Sequence, residues 1–265
     1  MSIYHVQNKW GDSPLQEGGI FVLGSRSNQE LVDININSTD GGKTLTGTIT
    51  YKGEGPIGFK GVQVAGNNYK VENEWSNTWN DGGNWVIGAR DGQNVVALKV
   101  SAIENTKDLK GEVTYKGEGP IIFQGKETAG SPYEVQNQWG GSNSPWNPGG
   151  VFILGSRDEQ QPIALDIKSN DEGQTFTGTM TYEGEGPIDL EATFVMGNVY
   201  SVQNKWGGPW HSAGYFIIGA RENQRAVALN VSSNDEGQTL TGKMTYKGEG
   251  PIEVTASTIN KLTTA

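Results

Sequence analysis

Cysteine is missing from the 265 residues, which excludes a disulfide framework, a thiolate metal site and a cysteine nucleophile. A reducing cytosol and an export route both tolerate such a chain. Histidine is nearly missing too, and its two copies, His5 and His211, do not recur in register with the repeats described below. No run approaches the roughly 18 apolar residues of a membrane helix, so no membrane insertion is expected. The N-terminal stretch MSIYHVQNKW has neither a basic n-region nor an apolar h-region. No secretory signal is therefore expected, and the protein is read as cytoplasmic or exported by another route. Lys and Arg number 20 against 30 Asp and Glu, a net charge of −10, which argues against a nucleic-acid partner. Methionines are few and no segment keeps a helical period over ten or more residues. The 39 glycines instead point to turns and strands.

What is present is one unit written four times. Tyr4, Tyr69, Tyr133 and Tyr200 open the segments YHVQNKW, YKVENEW, YEVQNQW and YSVQNKW, at spacings of 65, 64 and 67. Each is followed by a Gly-rich loop, then GIFVLGSR, GNWVIGAR, GVFILGSR or GYFIIGAR, a further apolar strand, a polar turn and TLTGTITY-like text. Each unit closes on YKGEGPI or YEGEGPI. The period exceeds those of solenoids and propeller blades, and each unit reads as five strands. Tyr4 to Trp10 alternates, with Tyr4 and Val6 on one face and His5, Gln7 and Lys9 on the other. TDGGKT and NDEGQT read as hairpin turns, and Gly47 with its counterparts as a bulge or a close backbone approach.

Five strands would leave two exposed edges, which a soluble protein must pair or block. Joining two units into a closed ten-stranded barrel removes both. The expected fold is therefore all-β, with four tandem five-stranded repeats forming two ten-stranded antiparallel barrels. Barrel one is expected over residues 1–130 (repeats 1–66 and 67–130) and barrel two over 131–265 (repeats 131–197 and 198–265). The boundary falls near Lys126 to Pro132, where KETAGSP has no apolar pattern.

Spacing separates scaffold from candidate site. Arg26 to Glu54, Arg90 to Glu118, Arg157 to Glu185 and Arg221 to Glu249 are all 28 apart. The interval from Trp10, Trp75, Trp139 and Trp206 to the following arginine varies instead, at 16, 15, 18 and 15. All of that variation lies in the loop after the tryptophan, where length costs little. Trp10, Trp75, Trp79, Trp139, Trp146, Trp206 and Trp210 are read as starting or occupying this loop, and only Trp85 as a strand residue. Each endpoint also has an ordinary reading: tryptophan as packing, arginine as a solvated charge, glutamate as a turn residue. Together, an aromatic face, a forked cation and a carboxylate suit a neutral, hydroxyl-rich ligand, and adjacent glycines would open the backbone to it. The residues point to a carbohydrate site in each unit.

The pattern Trp-Gly-Gly…Pro-Trp-Asn…Gly-Gly, then Gly-Ser-Arg, then Tyr-x-Gly-Glu-Gly-Pro-Ile resembles the Oscillatoria agardhii agglutinin family across essentially the whole chain. The four-repeat layout is similar to the myxobacterial hemagglutinin and Burkholderia agglutinin type. The resemblance implies an antiviral lectin without metal or cofactor, specific for the branched α3,α6-mannose core of high-mannose N-glycans. It implies sites at opposite ends of each barrel, each taking its Trp-Gly from one repeat and its Arg and Glu-Gly from the other. By that rule Trp10 and Gly11 join Arg90, Glu118 and Gly119, while Trp75 joins Arg26, Glu54 and Gly55. Trp139 and Gly140 join Arg221, Glu249 and Gly250, while Trp206 and Gly207 join Arg157, Glu185 and Gly186. Ser76 departs from the family glycine, which would make the Trp75 site weakest. The first loop is short as well, with Leu15 about where the third repeat has Trp146. The full-length loop WGGSNSPWNPGG makes the Trp139 site the most family-like.

The implied partners are high-mannose glycans and glycoproteins, viral envelope glycoproteins among them, engaged by a monomer with four sites. Rival readings remain on the residues alone. A glycoside hydrolase needs paired carboxylates, but no second acid recurs at fixed spacing, so no catalytic residue is assigned and no enzyme is expected. Calcium at the TDGGKT and NDEGQT turns would have too few acids for its ~6–8 oxygens. A structural or protein-binding double barrel, with Trp and Arg forming the contact between barrels, is the third.

Overall fold

In the computed structural model the described residues are 2–24, 29–90, 92–140, 143–157, 160–221 and 223–259; Arg26 lies outside them. Among these residues the chain is all strand and turn. The first two repeats supply β1 (Ser2–Lys9), β2 (Gln16–Leu23), β3 (Leu31–Asn37), β4 (Thr44–Tyr51) and β5 (Ile57–Ala65), then β6 (Asn68–Trp75), β7 (Thr78–Val86), β8 (Val95–Ala102), β9 (Leu109–Tyr115) and β10 (Ile121–Thr128). The last two supply β11 (Pro132–Gln138), β12 (Trp146–Ile153), β13 (Pro162–Lys168), β14 (Thr175–Tyr182) and β15 (Ile188–Met196), then β16 (Val199–Lys205), β17 (Trp210–Ile217), β18 (Ala226–Ser232), β19 (Thr239–Tyr246) and β20 (Ile252–Thr258). They form two closed antiparallel barrels of ten strands. The described residues divide into two compact units between Thr128 and Ala129.

Two details differ from the sequence expectation. A repeat is not a continuous five-stranded sheet with two edges. Around barrel one the order is β1-β10-β9-β8-β3-β4-β5-β6-β7-β2, so the β1–β2 hairpin is set apart from the β3–β5 meander of its own repeat. Both pieces are flanked by strands of the other repeat, and all their edges need that partner. The KETAGSP stretch, where the boundary is expected, also carries the end of a strand. Lys126 to Thr128 finish β10 and pair with β1, His5 opposite Lys126 and Ile3 opposite Thr128. Their side chains lack an apolar pattern because Lys126 is exposed and Glu127, next in the inward series after Phe123 and Gly125, is only half-buried at the strand end.

Alternation builds that core. Tyr4 and Val6 are buried while Gln7 and Lys9 are exposed, and in barrel one the interior includes Phe21, Phe59, Phe123 and Trp85. Phe59 and Trp85 meet as a tilted pair at 5.1 Å, a contact worth ~0.5–1.5 kcal/mol beyond its buried area. Gly47, Gly111, Gly178 and Gly242 mark where neighbouring strands pinch together. A Cβ on each would overlap the carbonyl oxygen of Asn35, Lys99, Asp166 or Asn230.

The β3–β4 type of turn explains its own acids. Asp40 accepts from the Thr44 N–H and the Ser38 hydroxyl, both at 2.8 Å. Those donors, the Thr44 backbone first, bring its carboxyl down to about 2. Asp171 and Asp235 make the same bonds in their turns. Buried tyrosine hydroxyls then hold these turns from the partner repeat: Tyr69 donates to Gly42 O at 2.9 Å, Tyr133 to Gly237 O and Tyr200 to Gly173 O, both at 3.1 Å.

Candidate functional site

Each glutamate motif begins as a four-residue turn. The N–H groups of Glu54, Glu118, Glu185 and Glu249 donate to the carbonyls of Tyr51, Tyr115, Tyr182 and Tyr246 at 3.0–3.1 Å. Gly53, Gly117, Gly184 and Gly248, third in each turn, sit at φ of 84°, 86°, 77° and 82°. A type II turn asks for glycine at that position. The glycine after the glutamate has a different status. Gly55, Gly119, Gly186 and Gly250 have ordinary φ, and a Cβ on any of them would meet nothing within 4 Å. Neither turn nor packing needs them bare.

The glutamate is clamped from one side. Arg90 Nη1 donates to Glu118 Oε1 at 2.6 Å, Arg157 Nη1 to Glu185 Oε1 at 2.7 Å and Arg221 Nη1 to Glu249 Oε2 at 2.7 Å. These bonds, with the arginine first among the causes, hold all three carboxyls below the usual carboxylate range. In the remaining site Gln29 Nε2 donates to Glu54 Oε1 at 3.0 Å. Each described arginine is also stacked. Its guanidinium carbon lies 4.4 Å from the Tyr115 ring centroid for Arg90, and 4.2 Å from Tyr182 or Tyr246 for Arg157 and Arg221. These tyrosines are fully buried, and burial pushes the Tyr115 and Tyr246 hydroxyls up to about 12.

A tryptophan of the other repeat covers the opposite approach. Trp10 lies over Arg90 at 5.6 Å, Trp206 over Arg157 at 5.6 Å and Trp139 over Arg221 at 5.2 Å. Cation–π contact of this kind contributes roughly 0.5–1 kcal/mol at exposed sites. Strand pairing brings these residues together. β1 runs against β10, with Lys9 opposite Ile122, so Trp10 emerges beside the turn that carries Glu118. At the other end of the same barrel β6 runs against β5, Glu74 opposite Gly58, and Trp75 emerges beside the turn that carries Glu54.

The tryptophan hairpins differ in build. Gly11, Gly140 and Gly207 follow their tryptophans at φ of 54°, 83° and 65°. Ser76 occupies the same left-handed region at 53°, and Asn77 follows at 59°. Two consecutive positive φ values make the two-residue turn that Trp75 and Thr78 close. Four tryptophans read as loop or loop-start residues prove to be strand residues: Trp75 ends β6, and Trp79, Trp146 and Trp210 lie at the starts of β7, β12 and β17. The ladders run further out than the Gly-rich text suggests, Gln138 pairing with Trp146 and Lys205 with Trp210. Trp206, one residue past the end of β16, is 43% exposed where the core Trp85 has 0%.

The OAA-family lectin sugar binding domain matches this chain four times, at residues 2–64, 67–128, 131–195 and 198–259. The chain belongs to the OAA lectin family. At 52% identity over 260 residues it is similar to the myxobacterial hemagglutinin of Myxococcus xanthus, covering 95% of this chain and 97% of that one. Among solved structures, the Burkholderia oklahomensis agglutinin superposes with a TM-score of 0.92 at 50% identity, covering 97% of this chain and 95% of that one. The Myxococcus xanthus hemagglutinin in complex with α3,α6-mannopentaose gives 0.92 at 51% identity, covering 97% and 100%.

For this OAA-family chain, sequence reasoning missed two parts of the site. One is the tyrosine beneath Arg90, Arg157 and Arg221, already visible at the head of Tyr-x-Gly-Glu. The other is a glutamine three residues after each arginine, in SRSNQ, ARDGQ, SRDEQ and ARENQ. The arginine is read from sequence as a forked donor, and the structure adds that Arg90, Arg157 and Arg221 are stacked and pair with the glutamate through Nη1. His211, alone of its kind among the hairpins, stacks on Trp206 at 5.0 Å.

Proposed function

We propose that each of the four sites binds the branched α3,α6-mannose core of high-mannose N-glycans, through Trp and Gly of one repeat and Arg, Glu and Gly of the other. The observation that carries this reading is the bare glycine after each glutamate. It has no conformational or packing reason to be glycine, and it lies beside a carboxylate held for hydroxyl donors under an aromatic platform. The Myxococcus relative bound to α3,α6-mannopentaose supplies the ligand class. Sugar C–H faces lie on the indole while hydroxyls donate to glutamate and accept from main-chain N–H groups. No bond in the glycan is broken, and no metal takes part.

Single contacts on a shallow surface are modest. Four of them on one chain raise apparent affinity by roughly 10²–10⁴ where geometry permits simultaneous engagement, which supports agglutination and capture of densely mannosylated envelope glycoproteins. Calorimetric titration with α3,α6-mannopentaose is expected to give four binding events per chain, insensitive to EDTA and without release of free mannose. A chain that binds none, or binds linear oligomannose equally well, does not have this specificity.

A further inference from the structure

We infer that the glutamine three residues after each arginine, Gln29, Gln93, Gln160 and Gln224, is a positioning residue of the site. It fixes the glutamate carboxylate in the orientation that a ligand hydroxyl meets. The inference rests on the glycan-binding reading for its ligand, but its geometry stands apart from it.

In the Trp10 site, Arg90 Nη1 donates to Gln93 Oε1 at 2.9 Å, and Gln93 Nε2 donates to Glu118 Oε1 at 2.8 Å and to Lys116 O at 3.4 Å. In the Trp139 site the corresponding distances from Gln224 are 2.6 Å to Arg221, 3.1 Å to Glu249 Oε1 and 3.0 Å to Lys247 O. In the Trp206 site Arg157 donates to Gln160, which donates to Glu183 O at 2.8 Å and to Glu185 Oε1 at 3.4 Å. Gln29 reaches Glu54 in the remaining one. Glutamine and glutamate are 25 residues apart every time. In the three sites whose arginine is described, one amide thus ties together the arginine, the carboxylate and the backbone of the turn that carries it.

The chemistry requires this residue type. Arginine has no acceptor and a carboxylate has no donor, so the linking group must accept on one side and donate on the other. A side-chain amide does both in one plane and, unlike histidine, in a protonation state that does not change with pH. Glutamate would lack the donor, lysine the acceptor, and asparagine a methylene of reach. In the Trp10 and Trp206 sites both protein donors fall on Glu Oε1. Among the described residues no donor reaches Oε2 of Glu118 or Glu185, and that oxygen is the one offered to ligand.

The charged or titratable groups around Glu118 are few. Arg90 comes from the β7–β8 connection, Tyr115 ends β9 beneath it, and the Lys116 ammonium lies toward Gly41 of the β3–β4 turn. A change in Glu118 titration on replacing Gln93 by a neutral residue therefore reports the amide and not a rearranged set of charges.

The test uses the full chain with Trp75→Ala, Trp139→Ala and Trp206→Ala, which leaves the Trp10 site as its one complete aromatic platform. Gln93→Leu in that parent is expected to weaken α3,α6-mannopentaose binding about tenfold. Gln93→Glu, isosteric and so the safer variant for folding, is expected to weaken it more, because it loses the donor and sets a second carboxylate beside Glu118. Carboxyl NMR of ligand-free protein is expected to show the Glu118 pKa rising in both. Unchanged affinity and unchanged Glu118 titration in either folded variant overturn the inference. A parent that binds no mannopentaose, with Glu118 still shifting in Gln93→Leu, leaves the positioning role standing and removes the glycan reading instead.

Discussion

The floor of each site and the hairpin that overhangs it are held by different physics. The floor is a closed set of partners: tyrosine under arginine, arginine on glutamine and glutamate, glutamine on the turn carbonyl. Losing one member strands the others, and the floor keeps its residues and spacings in all four repeats. The hairpin tips vary in length and sequence, and their described residues, at 10–15, 76–77, 139–140, 143–145 and 206–209, are mostly exposed. Loop closure there depends only slowly on length. A difference in ligand binding among the four sites is therefore a property of the hairpins.

The contrast can be broken at the floor first. Arg221→Ala removes the stack on Tyr246 and the partner of Glu249 together. It is expected to weaken glycan binding at the Trp139 site about 10²-fold, equivalent to ~3 kcal/mol and within the range of hot-spot arginines. NMR titration of that site's indole resonances reads the loss. Trp139→Ala comes next, at about 30-fold weaker binding with the melting temperature little changed. A large drop in melting temperature with glycan binding intact would favour a structural role for the tryptophan.

Acid acts on the floor as well. Glu118, Glu185 and Glu249 have depressed pKa values, each held down first by its arginine. A carboxylate of this kind contributes above its ordinary pKa and loses its contribution as pH falls through the lower folded value. Binding is expected to persist from neutral pH through the ordinary carboxylate range and to disappear only below it. A midpoint above that range, in a pH series of binding isotherms, would mean another group controls the site.

The two glycines around one glutamate provide a finer test. Gly117→Ala forces a side chain into the left-handed region and is expected to lower unfolding stability by about 1 kcal/mol. Gly119→Val meets open space, and is expected to leave urea unfolding unchanged while weakening glycan binding several-fold. Smallest of all is Ser76→Gly. It removes a Cβ at φ 53°, and a few-fold gain at the Trp75 site is expected by titration. No gain would place the weakness of that site in the length of its hairpin instead.

Much of this was legible in the sequence because repetition reveals what moves and what does not. Strand alternation, the β3–β4 turns, the Gly47-type pinch and the closing of two repeats into one barrel all follow from local pattern. The tryptophans at strand starts were misplaced because Gly-rich text resembles loop wherever a ladder continues through it. The last strand residues, Lys126–Thr128, are not legible as strand because β10 has no apolar signature at its end. Gln93 and its counterparts were passed over although Arg-x-x-Gln recurs at fixed spacing, since a polar residue in a connection gives no signal until its partners are seen.

By itself the sequence determined strands, turn types and the spacing of Arg, Gln and Glu, because each depends on neighbours a few residues away or on one repeat's internal length. Which tryptophan stands over which arginine was decided only in the tertiary structure. Closure pairs β1 with β10 and leaves β5 to β6, since a repeat split into a hairpin and a meander satisfies its edges only on its partner. That pairing sets Trp10 beside Glu118 rather than beside Glu54, and makes every site the joint product of two repeats.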